Sequence, residues 1–249
     1  MFWIHGFSIL LFLGLGHRFS RVSAIKLINY NLLVNFATGL GVFLLVKPLV
    51  RYLAGYLNWK LISLDFGPAW LHFIFAFLLI DFSRYWLHYA HHRVPFFWRF
   101  HRVHHSSRSL DASSGLRMHA FDFIQLGMIP SFWFGLLFDI STWDEWLLPS
   151  VLSVGIVFDA FQHSSLRFPL SHPLCKLWHM MLNNPHFHAW HHVRDARLCD
   201  GNYGNVLLIW DRIFDTDVTK ATLPSEFGIT DEQNIKNDPI SLQFLRPLR

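Results

Sequence analysis

Four stretches of this chain, residues 27–46, 69–87, 121–138 and 146–161, are apolar almost throughout. At about 1.5 Å of rise per residue, each comes near the length needed to cross ~30 Å of hydrocarbon. The last two are short and are joined only by residues 139–145, so they predict a helical hairpin that either crosses fully or dips in without crossing. Residues 2–16 form a further apolar stretch. No Lys or Arg precedes it, whereas Arg18, Arg21 and Lys26 follow, which argues against a secretory signal. It is read as a retained helix, with a position in the membrane interface as the alternative, because the stretch is marginal for a span and His5 interrupts it.

The apolar run that begins at Ala69 continues to His92 as one helix leaving the membrane. His88 and His92 then sit one turn apart at its end, ringed by Tyr85, Trp86 and Tyr89 as an aromatic belt. Pro95 stops this helix and opens a second over 96–106. From Arg167 onward the chain is more polar, and Pro169, Pro173 and Pro185 break it into short pieces before the segment 187–193. These predict a cap of short helices. The tail from Lys220, with Pro224, Pro239 and the polar run 231–238, predicts a loop-rich end packed loosely on that cap. The expected fold is all-α: a multi-pass membrane helical bundle with a cytoplasmic, histidine-rich cap.

Composition supports the membrane reading, since 52% hydrophobic and 15% charged residues with a mean hydropathy of +0.28 are too apolar for an ordinary soluble domain of this size. Orientation follows from the basic residues. The first two loops tie, with Arg18, Arg21 and Lys26 against Lys47, Arg51 and Lys60. The next pair decides, because Arg84, Arg93, Arg99, Arg102, Arg108 and Arg117 flank one end while residues 139–145 carry acids and no base. The end bearing the arginines is expected to face the cytoplasm. A net charge of +4 raises nucleic acid as a partner, but the bases are spread along membrane flanks and no nucleic-acid motif is present, so anionic headgroups fit better. Cys175 and Cys199 form no CxxC and lie on the expected cytoplasmic side, which implies reduced thiols.

The same arginine-rich end carries the chemistry. The pattern HxxHH occurs three times, at His88, His91 and His92, at His101, His104 and His105, and at His188, His191 and His192. On a helix, positions i, i+3 and i+4 share a face, so each triplet can aim imidazoles at one point. A single such histidine is more simply a polar tip at the headgroup level, but threefold recurrence points to metal. Eight or nine imidazoles exceed what one zinc uses, which implies two metals. Imidazole suits Zn, Cu, Fe and Ni alike, and the HExxH of a hydrolytic zinc site is absent.

The stretches DFSRYWLHYAHH, WRFHRVHHSS, LRMHAFD, FQHSSLRFP, NNPHFHAWHHVRD and DGNYGNVLLIWDRIFDT, in this order between about residues 69 and 216, resemble the fatty acid hydroxylase / sterol desaturase superfamily of integral-membrane di-iron enzymes. The resemblance implies O2-dependent hydroxylation or desaturation of a lipid C–H bond at two iron ions. It implies nine ligands: His88, His92, His101, His104, His105, His163, His188, His191 and His192. Around them, His91, His119, Asp159, Asp200 and Asp211 are the candidates to orient ligands. Asp159 stands where some members have a histidine and is either a ligand or a ligand-orienting group, because a carboxylate on an apolar helix is otherwise costly. His119 is expected to support the site or face substrate, and Asp200 or Asp211 to accept the second N–H of a ligating imidazole. The alternative for these two acids is turn formation around GNYGN. His5, His17, His72, His172, His179 and His186 are read as interfacial or structural. In one domain over 1–249, residues 1–68 then supply N-terminal membrane helices, 69–216 the catalytic region and 217–249 a tail.

Substrate is expected to come from the bilayer. Electrons must arrive from outside, from a ferredoxin- or cytochrome-like donor, because the chain carries no haem, flavin or dinucleotide motif. The same C-terminal stretches also look like the alkylglycerol monooxygenase branch, which cleaves ether lipids with a reduced pterin. A reading from another class, a membrane metal-binding or metal-transport protein, is disfavoured because transport ligands sit near the bilayer midplane and these histidines cluster at helix ends.

Overall fold

The computed structural model describes residues 2–20, 59–195 and 199–229, with scattered helical positions between 37 and 57. The expected span over 27–46 and the tail beyond 229 therefore fall largely outside the described residues. Helix α1 (Phe2–Ser20) precedes β1 (Ile62–Ser63), α2 (Ala69–Arg93), α3 (Pro95–His105) and a 3-10 turn at Ser114–Leu116. Then come α4 (Ala120–Leu137), β2 (Phe138–Asp139), α5 (Leu147–Gln162), α6 (Pro173–His179), α7 (Pro185–His191) and α8 (Ile209–Ile213).

Among the described residues, the one sheet in an otherwise largely helical structure is a parallel pairing of β1 with β2, Ile62 opposite Phe138 and Ser63 opposite Asp139. It ties the segment before α2 to the loop between α4 and α5. Lys60 reinforces it, donating its backbone N–H to Leu136 (2.9 Å) and pairing with Asp139 at 3.6 Å.

Among the described residues, α2 and α4 are the two helices long and apolar enough to cross a membrane. The 16-residue α5 is apolar but shorter; at about 1.5 Å per residue it spans roughly 24 Å, so the two arms of the expected hairpin are unequal. Their far ends share a core of Ala76, Ile80, Phe134, Phe138, Trp143, Leu147, Val151 and Leu152. On the other side α1 packs on α5, with Ile9 against Ala112, Leu116 and Ala160 and Phe12 against Phe161.

The turn from α2 into α3 takes a single residue. Val94 is extended (φ −98°, ψ 115°), as the residue before a proline must be, and is at once the C-cap of α2 and the N-cap of α3. Pro95 at the first helical position lacks an N–H that would be unpaired there anyway. The consequence is functional, because the histidines of α2 and α3 lie on either side of this corner.

Asp81 joins α2 to the C-terminal part of the chain. Its buried carboxylate accepts the backbone N–H groups of Val206 and Leu207 (both 3.1 Å) and the indole N–H of Trp210 (3.0 Å). One turn further, Arg84 donates to Asn205 at 3.1 Å. Its guanidinium lies against α5 at Gly155, where any Cβ would overlap it. The start of the tail is fastened rather than loose. His186 Nε2 lies 2.7 Å from the carbonyl of Lys220, Trp190 donates to the carbonyl of Thr222 at 2.9 Å, and Val193 bridges to Phe227.

Because three donors, two of them buried, depend on one carboxylate, Asp81→Ala should destabilise the protein by about 3 kcal/mol, at roughly 1 kcal/mol for each stranded donor. Thermal or denaturant unfolding in detergent measures this. A loss below about 1 kcal/mol would mean that the contact carries little of the fold.

Candidate metal centre

The nine histidines of the expected ligand set come together in two groups. Ligand atoms of His88, His92, His101, His105 and His191 all lie within 4.8 Å of one another, as do those of His104, His163, His188 and His192. The groups adjoin, with the His105 and His192 rings stacked at 4.4 Å and the His104 and His192 rings 4.6 Å apart. Helix α2 supplies His88 and His92 and α3 supplies His101, His104 and His105. His163 caps the C-terminus of α5, and α7 with its C-cap supplies His188, His191 and His192.

Helix α7 is short and depends on its start. Asn184 caps it, its side-chain oxygen accepting from Phe187 N–H at 3.0 Å, and Pro185 follows at the first position. Asn183 seats this start. Its amide donates to Gln162 and to the carbonyls of Gly204 (2.6 Å) and Asn205 (3.2 Å), and its side-chain oxygen accepts from Asn184 N–H.

The second ring nitrogen fixes the tautomer of several imidazoles. His88 Nδ1 donates to the carbonyl of Tyr203 (2.9 Å), His191 Nδ1 to that of Gly201 (2.8 Å) and His163 Nδ1 to that of Asp159 (2.7 Å). A carbonyl only accepts, so in each ring the proton sits on Nδ1 and Nε2 is left with a lone pair. His101 Nδ1 donates to the buried carboxylate of Asp122 at 3.2 Å in the same way.

The Nε2 atoms then meet. His88 Nε2 and His101 Nε2 face each other at 3.2 Å. His163 Nε2 lies 3.1 Å from His104 Nε2 and 2.9 Å from His188 Nε2, which is 3.0 Å from His192 Nε2. Among the described residues, the buried Nε2 atoms of His92, His105 and His191 have no hydrogen-bond partner. The opposed acceptors of His88 and His101 and the unpartnered buried nitrogens cost free energy unless a cation sits among them. Metal–nitrogen bonds of about 2.1 Å at near-right angles place neighbouring nitrogens about 3 Å apart, so the spacing fits a metal as well as the donor type does.

Burial, with further contributions from neighbouring imidazoles, holds the pKa values of His101, His104, His105, His188, His191 and His192 well below the ordinary histidine value. The rings are neutral at pH 7, the form that ligates metal.

The expected orienting residues divide. His91 is fully buried outside both groups, with Nδ1 2.7 Å from the carbonyl of Leu87 and Nε2 3.6 Å from Asp122. Asp159 lies 3.6 Å from His163 Nδ1 and belongs to neither histidine group. Asp200 lies 3.6 Å from His92 Nδ1 and pairs with Arg93 at 3.2 Å. His92, Asp200 and Cys199 form a third grouping, but burial and the Asp200 charge push the Cys199 thiol up to about 11, so it is protonated.

Two of the expected residues make their contacts elsewhere. His119 belongs to neither histidine group; it caps α4, accepting from Phe121 N–H at 3.1 Å, and packs on Phe100. Asp211 touches no imidazole. It accepts from the N–H groups of Tyr203 (2.7 Å) and Gly204 (2.8 Å) and from the Thr216 hydroxyl (2.8 Å). Turn formation is its role, and it holds the loop whose carbonyls orient His88 and His191. Asn202, left-handed at φ 60°, shapes that loop and donates to the carbonyl of Phe187 in α7.

Sequence reasoning missed Asp81, Asp122 and Asn183. The signal for the first two was present, since a single acid in an apolar helix is costly unless it is used.

Comparison with known proteins places these residues in context. The profile of the Fatty acid hydroxylase family matches residues 73–216. The chain is 31% identical over 200 residues to alkylglycerol monooxygenase of Caenorhabditis elegans, covering 75% of this chain and 35% of that protein. It is 31% identical over 196 residues to alkylglycerol monooxygenase of Homo sapiens, covering 79% and 41%, and 26% identical over 155 residues to ornithine lipid hydroxylase OlsE of Rhizobium tropici, covering 61% and 43%. The chain thus spans well under half the length of these relatives. No solved structure matches it. The histidine groups, the acids that brace them and the loop that closes over them all lie within the matched residues, and on that match the chain belongs to the fatty acid hydroxylase family.

Proposed function

We propose that this chain is a membrane-embedded, O2-dependent monooxygenase that acts on an ether lipid at a pair of iron ions. His88, His92, His101, His105 and His191 would hold one ion and His104, His163, His188 and His192 the other. The observation that carries this reading is the meeting of nine imidazoles, eight of them buried, in two adjoining groups. Iron is favoured over zinc because the similar proteins are named as oxygenases and hydroxylases, and zinc has no redox chemistry.

When bound, the ions supply O2 activation and the oxidation of a substrate C–H bond. The chain supplies the rest. The carbonyls of Tyr203, Gly201 and Asp159 and the Asp122 carboxylate hold the donor rings in one tautomer and orientation. Burial keeps water from the reacting atoms. One oxygen atom of O2 enters the C–H bond and the other leaves as water, which consumes two electrons and two protons from a reductant outside this chain. At a carbon beside an ether oxygen the product is a hemiacetal, which breaks into an aldehyde and an alcohol.

Ether lipid and reduced pterin are favoured by the similarity to alkylglycerol monooxygenases. Hydroxylation of an acyl lipid, with a ferredoxin- or cytochrome-like donor, is the second reading and draws on the similarity to ornithine lipid hydroxylase. The apolar α2 and α4 support a multi-pass membrane position, and the arginines flanking the histidine end favour its facing the cytoplasm.

Iron-loaded protein given an alkylglycerol, a tetrahydropterin and O2 should release fatty aldehyde, detected by mass spectrometry. Pterin-independent formation of a hydroxylated acyl lipid instead would select the second reading. His104→Ala should abolish turnover and lower bound metal while leaving membrane insertion intact, whereas Asp122→Asn should weaken metal binding by about 10–100-fold. Full activity in purified His104→Ala would refute the ligand assignment.

Acidification tests the neutral imidazoles. Their folded-state pKa values are depressed, so below about pH 6.5 the unfolded chain takes up protons that the folded chain does not. Stability is therefore present above that pH and is lost as pH falls through it, and bound metal is released as protons compete for the rings. Melting temperature and metal content at descending pH should fall together; a flat profile would contradict buried, neutral ligation.

A further inference from the structure

The short helix α6, the turn after it and α8 carry an apolar face that the metal centre does not use. Leu174, Leu177, Met180, Met181 and Ile213 are each more than half exposed. They belong to one surface, because the N–H of Leu208 donates to the carbonyl of Met181 (2.9 Å) and Arg212 donates to the carbonyls of His179 (2.7 Å) and Met180. The face also has a fixed place on the helices below it. Trp210 and Phe214 pack on Phe82 of α2, and Phe214 on Trp86, while Trp178 packs on Phe158 and Phe161 of α5.

We propose that this face is a membrane-contact surface, seated at the boundary between lipid headgroups and acyl chains and gripping the bilayer beside α2 and α5. The occupant is argued from continuity. Leu78 and Trp86 on α2 and Val157 on α5 are apolar and exposed on the two helices to which the face is attached, so a bilayer around those helices meets the cap at this rim. Apolar side chains backed by tryptophan, with Lys176 on the same helix to reach headgroup phosphates, are the composition of an interfacial segment. Asn183 links this rim to the site. It accepts from the Trp178 indole at its carbonyl (3.0 Å) and seats the start of α7, which carries His188 and His191. A lipid leaving the bilayer here would arrive beside the histidines. The inference rests on the membrane reading above and does not depend on which lipid is oxidised.

The test is spin-label accessibility in the full chain, with Cys175 and Cys199 changed to Ser and the protein in vesicles of phosphatidylcholine and phosphatidylglycerol. Single labels go at Leu177→Cys, Met181→Cys and Ile213→Cys, with Ile74→Cys on α2 as the lipid reference and Glu226→Cys as the water reference. All five positions are exposed. Collisions with oxygen should exceed collisions with a neutral nickel chelate at 177, 181 and 213, as at 74, and the order should reverse at 226. Nickel-dominated relaxation at the three cap positions, with 74 still in lipid, would overturn the proposal alone. A water-like signal at 74 too would overturn the membrane reading and the proposal with it. Dipolar broadening at 177 or 181 that unlabelled protein removes would assign the face to a second copy of the chain and also overturn it.

Discussion

An imidazole nitrogen with a lone pair and no proton to meet is costly to bury, and this fold sets those of His88 and His101 against each other among further buried imidazoles. The Nε2 atoms of His88 and His101, and the run from His104 through His163 and His188 to His192, approach to between 2.9 and 3.2 Å. The buried carboxylates of Asp81 and Asp211, by contrast, each have three donors. The histidine nitrogens instead converge on each other. A cation in each group turns that convergence from a penalty into binding energy, and the surrounding structure is arranged to keep the nitrogens aimed inward.

Much of that arrangement is a brace made from the C-terminal loop. Tyr203 and Gly201 present carbonyls to His88 and His191. Asp211 and Asn202 set the shape of the loop, and Asp81, on the same helix as His88, fastens the residues that follow it. Stability and chemistry are therefore coupled. The carboxylate that pins residues 206–210 to α2 also fixes where the donors to one metal point. Elsewhere the bundle is conventional, with an apolar core at the end away from the histidines.

Periodicity and breakers made the helices legible. The apolar run to His92, the stop at Pro95 and the short piece around His188 lie within a few residues of the observed α2, α3 and α7. The two-residue pairing of β1 and β2 was not legible, because nothing local in Ile62–Ser63 distinguishes it from a loop. At the site, the threefold HxxHH showed that imidazoles gather, but not how they divide. His92 and His105 join one group and His104 and His192 the other, a sorting set by the corner at Val94 and the ring contacts between α3 and α7 rather than by spacing. The acids were harder: Asp81 and Asp122 each stand alone in an apolar helix and acquire their partners only through contacts between separate segments, whereas Asp211 bonds within its own loop, as the turn reading of GNYGN has it. The role of His119 as a helix cap was not legible from its place beside the cluster.

The most direct measurement of the central claim is X-ray absorption at the metal edge of purified, fully loaded protein, together with the number of ions per chain. The account predicts two iron ions, each surrounded by nitrogen scatterers with the multiple-scattering signature of imidazole, four to five rings per ion on average, as groups of five and four require. A sulfur shell from cysteine, a single bound ion, or a first shell without imidazole would contradict it.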